Sequence, residues 1–170
     1  MRKLFLFAVV AAFALTNLNA QESQFGVTAG YFGVNAKVKS GGESVTASDS
    51  GFYIGGVVDF GISDVFHIQP ELLYANVNDS SALILPIMAK YYVSEGFNLQ
   101  AGPQVDFSLE DMPDDISAVA VALAVGAGYD INENFFAQAR YSFQLTNSYT
   151  GPGDLKLTGS YLTIGLGYKF

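Results

Sequence analysis

Few residues in this chain could do chemistry. His67 is the only histidine and cysteine is absent, so no thiol nucleophile and no pair of histidines with metal-ligand spacing can be assembled. A Ser-His-acid hydrolase would need His67 beside a serine and a carboxylate, and no spacing selects such a serine. Glu110, Asp111, Asp114 and Asp115 crowd one short stretch with Met112 and Pro113. Carboxylates at that density suit a hard cation such as Ca²⁺, but the alternating ligands and glycine of a calcium loop are missing, and a solvated acidic loop is the expectation. Gly126-Ala127-Gly128 and Gly165-Leu166-Gly167 lack the strand-to-helix setting of a nucleotide loop. The residues therefore assign no catalytic group, no metal site and no cofactor.

What remains is a set of charges, Asp59, Glu71, Lys90, Asp106 and Arg140, whose meaning depends on the elements that carry them. From Phe52 onward nearly every segment alternates with period two. Leu162, Ile164, Leu166, Tyr168 and Phe170 share one face, and Thr163, Gly165, Gly167 and Lys169 the other. Phe97, Leu99, Ala101, Val105, Phe107 and Leu109 oppose Asn98, Gln100, Gln104, Asp106 and Ser108. Val119, Val121, Leu123 and Val125 are segregated from Ala118, Ala120, Ala122 and Ala124, which a helix would not do. Such strands bury one face in apolar surroundings and the other in polar ones.

Arg2 and Lys3 precede an apolar run from Leu4 to Leu15 that ends in small and polar residues to Ala20. This is the pattern of a secretory signal peptide, so the expected organisation is a signal peptide over 1–20 and one domain over 21–170. Without Arg2 and Lys3 the eight basic residues fall to six against sixteen acidic ones, a net charge of −10. Nucleic acid is thereby excluded as an expected partner, since phosphate contacts need a basic face. No segment of the domain reaches the ~18 continuous apolar residues of a spanning helix.

Eight strands are expected, at about 24–36, 51–62, 65–76, 82–93, 97–109, 117–130, 135–146 and 158–170. Their length suits tilted spanning strands of about 9 to 11 residues better than globular strands. Aromatic pairs such as Phe52 with Phe60, Phe66 with Tyr74, Phe97 with Phe107 and Phe135 with Phe143 bracket an apolar band, as two interfacial girdles would. Even-numbered links look like tight turns. Odd-numbered links look longer or more polar: Lys37 to Ser50, Val77 to Ser81, Glu110 to Ile116 and Asn147 to Leu157. An all-β, eight-stranded antiparallel up-and-down transmembrane barrel, with short periplasmic turns and longer outer loops, meets these conditions.

The pieces Gly51-Phe52-Tyr53-Ile54-Gly55-Gly56, Ile68-Gln69-Pro70-Glu71-Leu72-Leu73-Tyr74, Leu85-Pro86-Ile87-Met88-Ala89-Lys90-Tyr91-Tyr92 and Leu99-Gln100-Ala101-Gly102-Pro103-Gln104 follow one another. In that order they resemble the strands of the outer membrane protein β-barrel domain family, small OmpA-like barrels common in Bacteroidota. The resemblance implies a porin-like fold, contact with outer-membrane lipid and residence in the outer membrane; it implies no common reaction. Phe170, with Leu166 and Tyr168 at alternate positions before it, is similar to the C-terminal signal read by the barrel-assembly machinery, which the resemblance makes an expected partner.

A charge facing lipid at mid-membrane costs ~2–4 kcal/mol, so the register with charges inward is preferred. That parity places Asp59, His67, Gln69, Glu71, Lys90, Asp106, Gln138, Arg140 and Gln144 in the lumen. Glu71 is expected to pair with Lys90, and Arg140 with Asp59, Glu71 or Asp106. The expected function is that of a structural or interaction protein with a plugged narrow barrel and exposed outer loops of unidentified ligand. The alternatives are a narrow gated pore and a periplasmic soluble barrel holding an apolar ligand.

Overall fold

The computed structural model describes residues 23–170; the expected signal peptide lies outside the described residues. Among these, eight strands form one closed barrel in the order β1-β2-β3-β4-β5-β6-β7-β8. They are β1 (Ser23–Ser40), β2 (Glu43–Ser63), β3 (Phe66–Val77), β4 (Ser80–Tyr92), β5 (Phe97–Ser108), β6 (Val119–Asp130), β7 (Phe135–Gln144) and β8 (Lys156–Lys169). Every neighbouring pair is antiparallel, and β1 closes on β8 from Gly26↔Lys169 to Lys39↔Lys156. No described helix is long and apolar enough to cross a membrane; the crossing elements are strands.

The alternation expected from the sequence appears as two faces. Outward residues include Phe25, Tyr31, Phe52, Ile54, Leu99, Ile164 and Leu166, all about half exposed. Soluble monomers rarely show contiguous apolar patches beyond a few hundred Å², so a belt around every strand is the surface of a protein solvated by lipid. Inward residues are buried, among them Asp59, Gln69, Lys90, Gln100, Arg140 and Lys169.

Most expected boundaries differ by one or two residues, but the first link differs in kind. Lys37 to Ser50 was expected as a loop, and the chain there instead continues β1 to Ser40 and opens β2 at Glu43. The reason lies in Gly41-Gly42, whose φ values of 57° and 91° suit a two-residue hairpin turn that matches strand twist. Val38 and Val45 keep the alternation running on either side, paired across the hairpin. The third link is also a two-residue turn, with Asn78 at φ 52°. Only the fifth and seventh links are true loops, joined by an Ile116↔Tyr149 bridge and by the Thr150 amide donating to the Asp115 carbonyl at 2.8 Å. The two ends of the barrel are therefore distinguished less by loop length than by a hairpin that overruns the wall.

Small inward residues make room for large ones. A Cβ at Gly167 would overlap the Phe136 ring, one at Gly165 the Tyr53 hydroxyl, and one at Gly126 would lie 2.8 Å from Arg140 Cγ. Gly167→Leu is therefore expected to lower stability by about 1–3 kcal/mol through overpacking. The check is reversible urea unfolding in lipid vesicles, where Gly167→Leu combined with Phe136→Ala should recover most of the lost midpoint.

Candidate functional site

The charges that the sequence left without elements meet inside the barrel. Asp59 on β2 accepts from Lys90 Nζ of β4 at 2.8 Å and bonds His67 Nδ1 of β3 at 2.8 Å. Lys169 Nζ on β8 lies 3.5 Å from the same carboxylate and donates to Asp130 on β6 at 3.2 Å. Tyr92 donates its hydroxyl to Asp130 at 2.7 Å. Lys90 also donates to Gln69 at 3.0 Å, and Gln69 passes the chain on by donating to Glu71 at 2.5 Å. Glu71 receives Arg140 Nη2 of β7 at 2.5 Å, while Arg140 also donates to Gln100 at 2.5 Å and Gln138 at 2.8 Å. Three cations and three carboxylates from six strands thus form one continuous network.

The expected pairing is partly redistributed. Lys90 reaches Asp59 rather than Glu71, because Gln69 stands between Lys90 and Glu71 and bonds both. Arg140 takes Glu71, one of its three expected partners. Asp106 is in the lumen but outside the network, accepting from Gln104 at 2.7 Å; its second oxygen is buried without a partner. Gln144 sits near the outer mouth and donates to Ser148 at 2.8 Å. Lys169, Asp130 and Tyr92 were not among the expected lumen charges. The parity of Lys169 opposite Tyr168 and Phe170 was the signal available for it, whereas Asp130 and Tyr92 sit at strand ends where alternation fades.

Above the charged layer the lumen changes character. Phe32, Tyr53, Leu73, Ala75 and Ile84 form a buried apolar cluster, with Val34, Val77 and Tyr161 packed against it. Below it, at the end holding Phe170, a vestibule of about 590 Å³ bordered by Asp64, His67, Tyr92, Asp130 and Lys169 leads to the network. His67 packs against Tyr92 with ring centroids 4.9 Å apart and the ring planes tilted at 55°. Its hydrogen bond goes to Asp59, and no serine hydroxyl bonds it among the described residues. The acidic loop does not converge either. Glu110 turns to accept from the Ser81 amide at 3.0 Å, and no described group of three or more acidic or histidine side chains is arranged around a metal-sized point.

Comparison with known proteins decides the family. Residues 5–170 match the outer membrane protein beta-barrel domain. The chain belongs to that family. No curated protein matches it in sequence. Among solved structures it is similar to Ail, the attachment invasion locus protein of Yersinia pestis, solved in complex with the heparin analogue sucrose octasulfate. The TM-score is 0.53 at 14% identity over 88% of this chain and 99% of that one. It is also similar to Neisserial surface protein A, with a TM-score of 0.50 at 16% identity over 88% and 99%. Identities this low show the fold alone. Family and belt together make this an outer-membrane barrel.

Removing one member of a buried pair leaves a charge without compensation, at a cost of ~3–5 kcal/mol, whereas replacing both is nearly neutral. Arg140→Met is accordingly expected to destabilise the barrel by about that amount, and Arg140→Met with Glu71→Leu far less. Urea midpoints in vesicles measure both.

Proposed function

We propose that this barrel is a closed structural or interaction protein of the outer membrane that acts through its outer end rather than as a conduit. The observation that carries this reading is the filling of the lumen in two layers. A passing ion would have to part the Asp59–Lys90 or Glu71–Arg140 pair, at 2.8 and 2.5 Å, and then cross the apolar layer around Phe32, Leu73 and Ile84. A charge in apolar surroundings is strongly disfavoured unless paired, and a hydrophobic constriction closes a pore by excluding water. An eight-stranded barrel is just wide enough for its own side chains. No catalytic step belongs to this reading: His67 has its acid in Asp59 but no nucleophile at hydrogen-bond distance among the described residues.

Assembly is the second part of the reading. Leu166 and Phe170 are exposed on the outward face, and the rings of Phe135, Tyr168 and Phe170 form a ladder with centroid separations of 4.9 and 5.5 Å. This apolar edge, at the end of the strand that closes the barrel, supports the role of Leu166, Tyr168 and Phe170 as the segment the assembly machinery reads.

In planar bilayers the protein is expected to give no steady conductance. Steady channels that disappear in Arg140→Ala or Glu71→Ala would overturn the closed reading. Phe170→Ala is expected to reduce the folded fraction in the outer membrane of cells several-fold, scored by heat-dependent migration on gels, while refolding in detergent proceeds as in the parent. Equal loss in both settings would assign Phe170 to stability instead.

A further inference from the structure

We propose that the outward face of the overrunning hairpin binds phosphate groups on the saccharide headgroups of outer-leaflet glycolipid. β1 and β2 run to Ser40 and Glu43, and β8 pairs with β1 as far as Lys39↔Lys156. β2 has no β3 partner beyond Phe52↔Asn76, and β8 no β7 partner beyond Phe143↔Ser160. A three-stranded flap therefore rises past the paired wall strands, with the β7–β8 loop along the β8 edge, where the Ser148 amide donates to the Leu157 carbonyl at 2.9 Å.

The six basic residues of the domain divide evenly. Lys90, Arg140 and Lys169 are buried in the lumen network. The other three, Lys37, Lys39 and Lys156, all lie on the flap. They also share one face: Lys37 and Lys39 are two residues apart on β1, and Lys156 is directly opposite Lys39. Register neighbours on that face are hydroxyl residues, Ser44 opposite Lys39 and Thr46 and Thr158 flanking Lys37. The carboxylates of the flap, Glu43 and Asp49, have the opposite parity, and Asp49 is held there by Asn78. None of the three lysines has an ion pair or hydrogen bond among the described residues. Like charges directly across a strand pair are destabilising. A chain of net charge −8 that gathers the free cations of its described residues in such a register has formed an anion site.

The position of the face selects the anion. The lysines continue the parity of Tyr31 and Phe52, which are exposed on the lipid side, so they lean over the bilayer and not over the mouth of the barrel. The outward apolar residues reach Leu162, opposite Gly33; Lys37 and Lys39 come four and six residues beyond Gly33, which at about 3.3 Å per residue and a tilt near 40° is roughly 10–15 Å above the apolar band. The polar region of an ordinary bilayer reaches only ~5–8 Å beyond its hydrocarbon core on each side. A headgroup that meets these lysines must be taller, as a phosphorylated saccharide is. The lysine stems can bend toward the surface while their ammonium groups stay solvated. The inference rests on the outer end being the interacting surface and is independent of whether the lumen is closed.

The test uses the whole barrel in zwitterionic bilayer discs doped with a bis-phosphorylated lipid A glycolipid or with the same glycolipid dephosphorylated, counting bound copies by native mass spectrometry. The phosphorylated form should bind at least about tenfold more tightly, a preference that weakens with salt. Lys37→Ser/Lys39→Ser/Lys156→Ser should abolish the preference, and the corresponding triple change to Arg should keep it. Folding of each variant is read from heat-dependent gel migration, and if the triple serine variant does not fold, Lys39→Ser alone should reduce the preference. Equal binding of both glycolipids, or a preference that survives loss of the lysines, overturns the proposal. So does binding of soluble dextran sulfate to glycolipid-free discs as tightly as phosphorylated glycolipid binds, which would assign the face to a water-soluble polyanion. Failure here with a silent bilayer trace would leave the closed-barrel reading standing.

Discussion

Hydrocarbon offers no partner to a backbone amide, so every N–H and C=O within the membrane must be satisfied by the chain itself. The β1–β8 ladder from Gly26↔Lys169 to Lys39↔Lys156 meets this demand by turning eight strands into a sheet without an edge across the membrane. Once the sheet is closed, the two-residue period of a strand leaves each side chain only two destinations, lipid or lumen. A slip of one residue would exchange them, sending Asp59, Lys90 and Arg140 into lipid and Phe25, Ile54 and Leu166 into the interior. The closing ladder and the distribution of charge are thus one constraint seen from two sides.

The interior shows how that constraint is met in a small cross-section. Three cations cannot be buried singly, and the lumen holds them against three carboxylates from other strands, with Gln69, Gln100 and Gln138 as neutral connectors. Gln69 donates to Glu71 because a carboxylate has more acceptor positions than one cation fills, and Gln100 and Gln138 accept from Arg140 because its five N–H donors outnumber what Glu71 takes. The space for Arg140 and Gln100 comes from Gly126 and Gly128, and Gly165 and Gly167 make the same room for Tyr53 and Phe136, since a Cβ at each would meet that side chain. The alternation of alanine and glycine with larger residues on β6 and β8 is therefore the complement of the network. Buried pairs of this kind contribute little net stability against an apolar filling; what they fix is register, because only one alignment of the strands brings the partners together.

The sequence made the wall legible and the interior only in part. Strand parity, the outward residues and the closing strand could be read because period-two alternation is local and each strand carries its own record of it. The identity of ion-pair partners is not local. Glu71 and Lys90 sit on adjacent strands, but their heights in the barrel, set by the β3–β4 register of His67↔Lys90 and Gln69↔Met88, place Lys90 toward Asp59. Lys169 lies on the lumen parity of β8 by alternation alone, but its partners Asp59 and Asp130 come from β2 and β6, which no local pattern connects to it. The hairpin was missed for a related reason. A run of serine, threonine and glycine reads as a loop by composition, yet Val38 and Val45 preserve the alternation and Gly41-Gly42 supplies the turn. Where composition and periodicity disagree, periodicity reports the backbone more directly.

The hairpin also resolves a difficulty left by the lumen. Burying three of the six described basic residues in ion pairs leaves the barrel's solvated surface strongly acidic, which would repel an anionic membrane surface. Scattering the remaining three lysines would weaken that repulsion everywhere and overcome it nowhere. Concentrating them on one face of a flap creates a single place where the sign is reversed, at a height set by strand length and on the side set by strand parity. The same two properties that build the wall, alternation and continuous pairing, therefore carry a charge pattern about 10–15 Å above the apolar band. A loop of equal length could hold the same residues but would not hold them on one face, since only a paired strand keeps alternate side chains on the same side. For the flap to serve as a spacer alone, alternation would be unnecessary and the opposed Lys39 and Lys156 would be a cost without a return.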